Sequence, residues 1–375
     1  MSNQKYDMMR LRAAGDPKRL DEILQEECRE KTRDNLPQTL LCDGFKFPTL
    51  LSAEQCTSDS LAEQHSLHVN PGDEVLDMTC GLAIDAFHIA RRAARVTAID
   101  IDPKVADAAR DNARALGLAN VDVICADSVV WLGESGRRFD VIFIDPARRS
   151  SDGRRLRALA DCSPDVTSCL SLLKERSDKL IIKASPMLDV AMTVKELGGD
   201  ADIMVYGAKG ECKELTAIVP GNGLITVTTP GRTDFSFTLA EEAAAKAPQA
   251  LPAESDLLFE PSAAAMKAGA FNLLATRFRL KKMDKNTHLY LGDAPVEDFP
   301  GTSRRIVRVE RYSKHISPEM KSLLADGADV AVRNFLLTAE ALASKLGITR
   351  GGKGRRRLYG VRCGSAKLLL MTVAD

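Results

Sequence analysis

The sequence predicts an α/β fold: a doubly wound, mostly parallel sheet, with a helical segment before it and a smaller α+β region after it. Three observations lead there. Short apolar runs alternate with helical stretches from residue 74 to residue 219, the rhythm of a parallel sheet with crossover helices. Four of the runs end on or beside an acidic residue, at Asp77, Asp100, Asp127 and Asp145. Beyond Pro220 the rhythm breaks and the chain becomes basic.

At 375 residues the chain exceeds one ordinary core, so two or three domains are expected. Residues 1–68 read as a helical segment broken at Phe47-Pro48, with Glu54–His68 again favouring helix up to the Asn70-Pro71-Gly72-Asp73 turn. The second domain, 69–225, carries seven strands: Glu74–Asp77, Arg95–Ile101, Val121–Ala126, Phe139–Ile144, Lys179–Lys183, Ile203–Tyr206 and Glu214–Val219. Phe139–Ile144 is a continuous apolar run suited to burial on both faces. Helices fall at Ile84–Ala94 and at Pro103–Leu116, the latter opened by a proline in its first turn. Residues 226–304 read as a hairpin, a linker and a small α+β domain that includes Thr287–Leu291 as a strand. Residues 305–375 begin with the strand Arg305–Val309. A further strand from Ala331, a helix at Thr338–Leu346, the loop Gly351–Arg357 and two last strands follow.

Composition is that of a globular chain, 45% apolar and 28% charged. No run approaches the roughly 18 uncharged apolar residues of a membrane span, and residues 1–16 contain no apolar signal core. The nine cysteines stand singly, with no pair at metal-ligand or redox spacing. The expectation is reduced thiols in a cytoplasm, no metal and no membrane partner. Basic and acidic residues balance at 52 each, but unevenly: residues 301–375 carry 15 Lys/Arg against 6 Asp/Glu. Such asymmetry suits either a polyanionic partner or a solvated face.

The first strand runs into Asp77-Met78-Thr79-Cys80-Gly81-Leu82-Ala83-Ile84-Asp85. Small residues at Thr79, Gly81 and Ala83 allow backbone to approach a nucleotide-like ligand, and the single glycine argues against a nicotinamide fingerprint. Asp100, 23 residues after Asp77, can accept from both hydroxyls of a ribose, and Asp127 can meet an adenine amino group. Each aspartate alone could be an ordinary turn residue; four at the carboxyl ends of consecutive parallel strands mark the ligand edge of such a sheet.

With these residues the chain resembles the class I, Rossmann-like, S-adenosyl-L-methionine-dependent methyltransferases. It is most similar to a bacterial branch with a C-terminal THUMP-like domain. That closer resemblance rests on Leu51 to Ser58, the Asp77–Asp85 loop, Ile144-Asp145-Pro146-Ala147-Arg148-Arg149, Lys183 to Asp189, Gly210 to Leu215, and the later pieces Glu260-Pro261, Met266 to Gly269, Asn286 to Tyr290 and Val332 to Phe335. It implies that Gln55, Ser58, Asp77, Thr79, Gly81, Asp100 and Asp127 hold the cofactor, and that residues 305–375 bind RNA, either tRNA or rRNA.

Asp145 and Pro146 stand where amine methyltransferases carry D/N-P-P-aromatic, but Ala147-Arg148 replace the second proline and the ring that would stack a flipped base. Asp145, Pro146 and Arg148 are the candidate catalytic residues. Arg148 and Arg149 either grip a phosphate or pair with Asp161 or Asp165. Cys162 and Cys212 are better placed than Cys56 and Cys80 for a nucleophilic thiol, though small buried cysteines are the common case. Lys183 and Asp189 either shape the substrate pocket or form a turn, and His88 reads as a core histidine. Arg350, Lys353, Arg355, Arg356 and Arg357, beside Tyr359, form the densest basic cluster and the expected RNA contact. Two other functions stay open at this point: methylation of a small molecule or protein, and an RNA-binding protein with a vestigial methyltransferase fold.

Overall fold

The computed structural model describes residues 2–148, 158–313, 315–349 and 355–374. The chain packs into two compact units, one of residues 1–202 with 216–222, the other of residues 203–215 with 223–375.

In the first unit, α1 (Ser2–Arg12), α2 (Pro17–Thr32), α3 (Leu50–Gln55) and α4 (Asp59–Ser66) precede β1 (Glu74–Asp77). Then follow α5 (Ile84–Ala90), β2 (Arg95–Asp100), α6 (Pro103–Ala115), β3 (Val121–Cys125), α7 (Ser128–Ser135) and β4 (Phe139–Ile144). The two-residue strands β5 (Ala147–Arg148) and β6 (Cys162–Ser163), α8 (Val166–Arg176), β7 (Ser177–Ala184) and α9 (Val190–Glu196) complete the series. Strands β7, β4, β1, β2 and β3 lie side by side in that order, every pair parallel. The chain leaves β1 toward β2 and β3, then returns to lay β4 on the other side of β1. That reversal opens a crevice at the carboxyl ends of β1 and β4, where open α/β sheets bind ligands.

Local chemistry fixes the helix starts. Asp102, Asp127 and Asp165 cap α6, α7 and α8 by accepting backbone N–H bonds, and Pro103 presets the first turn of α6. The expected helix over Glu54–His68 is two helices. The Ser58 hydroxyl accepts from the N–H of Leu61 and starts α4 anew, so the chain is extended at Cys56 and Ser58. The segment before β1 belongs to this unit's core: the rings of Phe45, Phe47 and Phe87 pack edge to face, buried with Val75, Val96 and Phe143.

In the second unit, β8 (Asp202–Ala208) pairs in parallel with β10 (Leu224–Thr228), and β10 pairs antiparallel with β11 (Phe235–Thr238), the hairpin expected after Pro220. Between β8 and β10 in the chain comes β9 (Glu211–Val219). The seven expected strands therefore all form, and the sheet is corrected: it is mixed, with five strands in one parallel group and β10 pairing parallel with β8 and antiparallel with β11. The short β10–β11 connection permits only an antiparallel return there.

The rest of the second unit begins with α10 (Leu239–Ala244) and β12 (Leu257–Pro261). Next come α11 (Ala263–Ala268), α12 (Phe271–Arg277), β13 (Lys281–Asp284), β14 (Thr287–Gly292) and β15 (Gly301–Arg311). After them are α13 (Pro318–Leu324), β16 (Asp329–Arg333), α14 (Ala339–Leu346), β17 (Arg356–Cys363) and β18 (Ala366–Val373). A seven-stranded sheet runs β13-β14-β12-β15-β18-β17-β16, antiparallel except for β16 against β17. Residues on both sides of position 304 share the eleven-residue strand β15. Apolar clusters around Leu289 and Leu370 and around Leu358 and Met371 fill this unit's core.

Candidate active site

The loop after β1 is sewn to its neighbours. The N–H of Met78 donates to the carbonyl of Phe143 on β4 at 3.0 Å, and that of Cys80 to Ile99 on β2 at 2.9 Å. Gly81, with φ of 51°, and Ala83, with φ of 63°, both sit in the left-handed region. Glycine does so freely; for Ala83 the Cβ adds a cost of about 1 kcal/mol. The turn gives Asp100 a fixed aim, because its carboxylate accepts from the N–H of Gly81 at 3.0 Å and from that of Asp102 at 2.9 Å. Asp127, exposed at the end of β3, caps α7 through one oxygen.

Asp77 is only 1% exposed. One oxygen accepts from the N–H of Thr79 at 3.1 Å, while Oδ2 is buried and has no protein hydrogen-bond partner. Burial pushes its carboxyl well above the ordinary range, aided by the negative charges of Asp85 and Asp145. An orphaned buried oxygen is costly unless a ligand completes it.

Beside it lies a buried polar network. The Thr79 hydroxyl accepts from the backbone N–H of Asp145 at 2.7 Å, tying the β1 loop to the end of β4. Lys183, 7% exposed at the end of β7, donates to Asp145 Oδ2 at 2.7 Å and to Thr57 Oγ1 at 2.6 Å. Its Nζ also lies 3.7 Å from Asp85 Oδ2. Asp85 in turn accepts from Thr57 and meets His65 Nδ1 at 2.7 Å, and His65 Nε2 is 3.4 Å from Thr216 Oγ1. Burial alone would push the Asp85 carboxyl up; Lys183 and His65, with the Thr57 hydrogen bond, outweigh it and hold the carboxyl below the ordinary range.

The sequence-derived residues do not all meet at the crevice. Asp77, Thr79, Gly81, Asp100 and Asp145 come together at the crevice. Gln55 is exposed at the end of α3, and Ser58 is engaged as the cap of α4; Thr57, between them, is the residue of that segment that joins the network. A serine followed by an acidic residue in the first turn is a capping pattern, and it was the signal that Ser58 was already committed. Pro146 leads into β5, whose backbone pairs with Cys162–Ser163; the Arg148 side chain and all of Arg149 lie outside the described residues. Lys183, read as pocket or turn, is central to the network. Asp189 caps α9, and His88 meets the buried Asp59 at 3.0 Å, as a core histidine does. Of the four thiols weighed from the sequence, burial pushes Cys56 up to about 11, Cys80 well up and Cys212 up, and Cys162 is buried.

In the second unit, Arg350 and Lys353 lie outside the described residues, and Arg355 is exposed. Arg356 donates to the carbonyl of Leu323 at 2.9 Å and pairs with Asp326 at 3.1 Å. Arg357 pairs with Glu260 at 3.1 Å, and Glu260 is also held by Arg333 at 2.5 Å and by the hydroxyl of the buried Tyr359 at 2.7 Å. Two of the cluster's arginines therefore carry internal structure. Among the described residues no group of three His, Cys, Asp or Glu side chains has the geometry to hold a metal, and no helix is long and apolar enough to cross a membrane.

Comparison with known proteins finds methyltransferase relatives. A profile for a methyltransferase domain matches residues 75–163, and one for a ferredoxin-like domain matches residues 257–300. An uncharacterized S-adenosylmethionine-dependent methyltransferase of Mycobacterium tuberculosis is 26% identical over 301 residues, covering 78% of each chain. Ribosomal RNA small subunit methyltransferase J of Coxiella burnetii is 29% identical over 171 residues, covering 42% of this chain and 65% of the relative. A crystal structure from Porphyromonas gingivalis W83, assigned to the methyltransferases, superimposes with a TM-score of 0.87 at 26% identity, covering 99% of this chain and 97% of the other. The matched domain contains the Asp77 loop, Asp100, Asp127 and Asp145, and the chain is an S-adenosylmethionine-dependent methyltransferase.

Proposed function

We propose that this methyltransferase acts on RNA, tRNA or rRNA, with the cofactor at the carboxyl edge of β1 to β3 and Asp145 facing the acceptor. The observation that carries the placement is the orphaned, buried Oδ2 of Asp77, a carboxylate oxygen that a cofactor's ammonium or hydroxyl group would complete. The other groups fit an adenosine-bearing molecule: Asp100, aimed by two backbone donors, suits a ribose diol, and Asp127 suits the adenine amino group. The cofactor supplies a methyl already activated by a positive sulfur, so the chain's work is alignment and exclusion of water.

The acceptor is read from Asp145. Fixed at its backbone by Thr79 and at its side chain by Lys183, it presents a carboxylate that is 41% exposed. A carboxylate there accepts a hydrogen bond from a nucleophile's N–H or O–H and so orients the lone pair. Methylation at a pyrimidine carbon would require an accessible thiolate; Cys56, Cys80 and Cys212 are pushed up by burial, and the exposed Cys125 lies at the end of β3, away from Asp145 on the chain. The exposed carboxylate of Asp145 favours an amine or hydroxyl acceptor.

RNA as substrate is supported by the name of the Coxiella relative and by the basic balance of residues 301–375. In this reading residues 305–375 form a THUMP-like RNA-binding region. The exposed Arg355, with Arg350 and Lys353, reaches phosphates, while Arg356 and Arg357 hold the scaffold. The test is transfer of labelled methyl from S-adenosylmethionine to total RNA from a strain lacking this gene, with wild-type RNA as control. Label in the deletion-strain RNA alone is the expected result. Label in neither, from enzyme that binds the cofactor, would sink the RNA reading.

A further inference from the structure

Methyl transfer turns the cofactor's positive sulfonium into a neutral thioether while leaving its adenosine and amino-acid groups unchanged. Fixed charges near the sulfur therefore act on one form and hardly on the other. Four carboxyl groups gather at this edge, on Asp77, Asp85, Asp100 and Asp145. Lys183 is a buried ammonium bonded to one of them, 3.7 Å from a second, and braced by the Thr57 hydroxyl. Its side chain does not reach outward for a phosphate; it points between acids.

We propose that Lys183 is the positioning residue that holds Asp145 toward the acceptor and sets how strongly the site distinguishes the sulfonium from the thioether. The inference rests on the cofactor lying at this edge, as proposed above. Two consequences follow from the geometry. Asp145, with Oδ2 held at 2.7 Å by Lys183, keeps one orientation, so its acceptor capacity is aimed before substrate arrives. Uncompensated carboxylates would also bind the sulfonium more tightly in the ground state than in the transition state, where positive charge moves toward the acceptor; binding of that kind slows transfer. Lys183 offsets it.

The test measures dissociation constants of S-adenosylmethionine and S-adenosylhomocysteine by calorimetry at pH 8 for the full-length protein and four variants. Asp100→Ala checks the placement, because a ribose partner serves both ligands. Both should weaken alike, and unchanged constants for both would remove the placement and this proposal with it. Lys183→Met should raise the preference for S-adenosylmethionine on the order of tenfold, the effect of one unit charge through a partly screened site. Lys183→Arg should restore the wild-type ratio to within about threefold. Asp145→Asn should shift the ratio the other way and provides the deciding arm if Lys183→Met does not fold. A merely structural lysine would weaken both ligands together and leave their ratio alone. With Asp100→Ala behaving as expected, a ratio within twofold of wild type in Lys183→Met, or in Asp145→Asn where Lys183→Met does not fold, would overturn the proposal.

Discussion

Each unit buries charge at the end of a strand, but the two burials end differently. In the second unit Glu260, 8% exposed, is satisfied on both oxygens by Arg333, Arg357 and Tyr359. In the first unit Lys183 balances Asp85 and Asp145, yet Asp77 next to them keeps an oxygen with no partner. A closed set of charges is what architecture needs, because every desolvated group has been repaid in hydrogen bonds. A set left one donor short costs stability and gains only when something binds. The difference separates scaffold from site more sharply than burial or charge count does.

The largest test of that contrast is Glu260→Ala. It strands two arginines, each about a third exposed, and a buried tyrosine hydroxyl, and should destabilise the protein by about 3 kcal/mol. Urea denaturation measures it, and cofactor affinity of the folded fraction should not change. A loss under about 1 kcal/mol would show that the closed cluster is no scaffold.

Asp77→Asn should behave in the opposite sense. Cofactor binding should weaken at least about tenfold, or roughly 1.4 kcal/mol, while the ligand-free protein should become more stable at pH 8. The sign follows from the raised carboxyl: the folded state favours the protonated form, so Asp77 opposes folding increasingly as pH rises above the ordinary carboxylate range. Tighter cofactor binding in the variant would break the reading.

Smaller again is the acid limb of stability. Asp85 and Asp59 are held below the ordinary range, Asp85 against burial by Lys183 and His65, Asp59 against burial by His88 and Thr39. Their contribution is complete above about pH 4 and fades as pH falls toward the lowered values. Asp85→Asn should flatten that limb in urea melts taken between about pH 5 and pH 2; an unaltered slope would contradict the network. The smallest effect belongs to Arg355→Ala, which should lower the slope of log K against log salt for RNA binding by about one unit or less. No change in slope would take Arg355 off the phosphate path.

Much of the parallel core was legible because its signals are local. An apolar run such as Phe139–Ile144 needs no partner to be recognised, and an aspartate at a strand's end is placed by the strand itself. The network was not legible for the converse reason. Thr57 and Lys183 are 126 positions apart, and His65 and Thr216 are 151 apart; no period or spacing connects them until the sheet is built. Arg356 and Arg357 show the same gap. Counted along the chain they join a basic cluster, but strand pairing delivers Arg357 to a glutamate 97 positions earlier.

The Thr57–Asp85–Lys183 contact also bears on how the chain can be divided. The recognised methyltransferase domain spans residues 75–163, and a fragment cut there would keep Asp77, Asp100, Asp127 and Asp145. It would lose Thr57, His65, Lys183 and Thr216, leaving Asp85 and Asp145 without the lysine and the histidine that hold them. Recognisable ancestry and the buried polar network therefore have different borders in this protein. Grafting or minimising the enzyme would have to respect the wider one, carrying the helices ahead of β1 along with the end of β9.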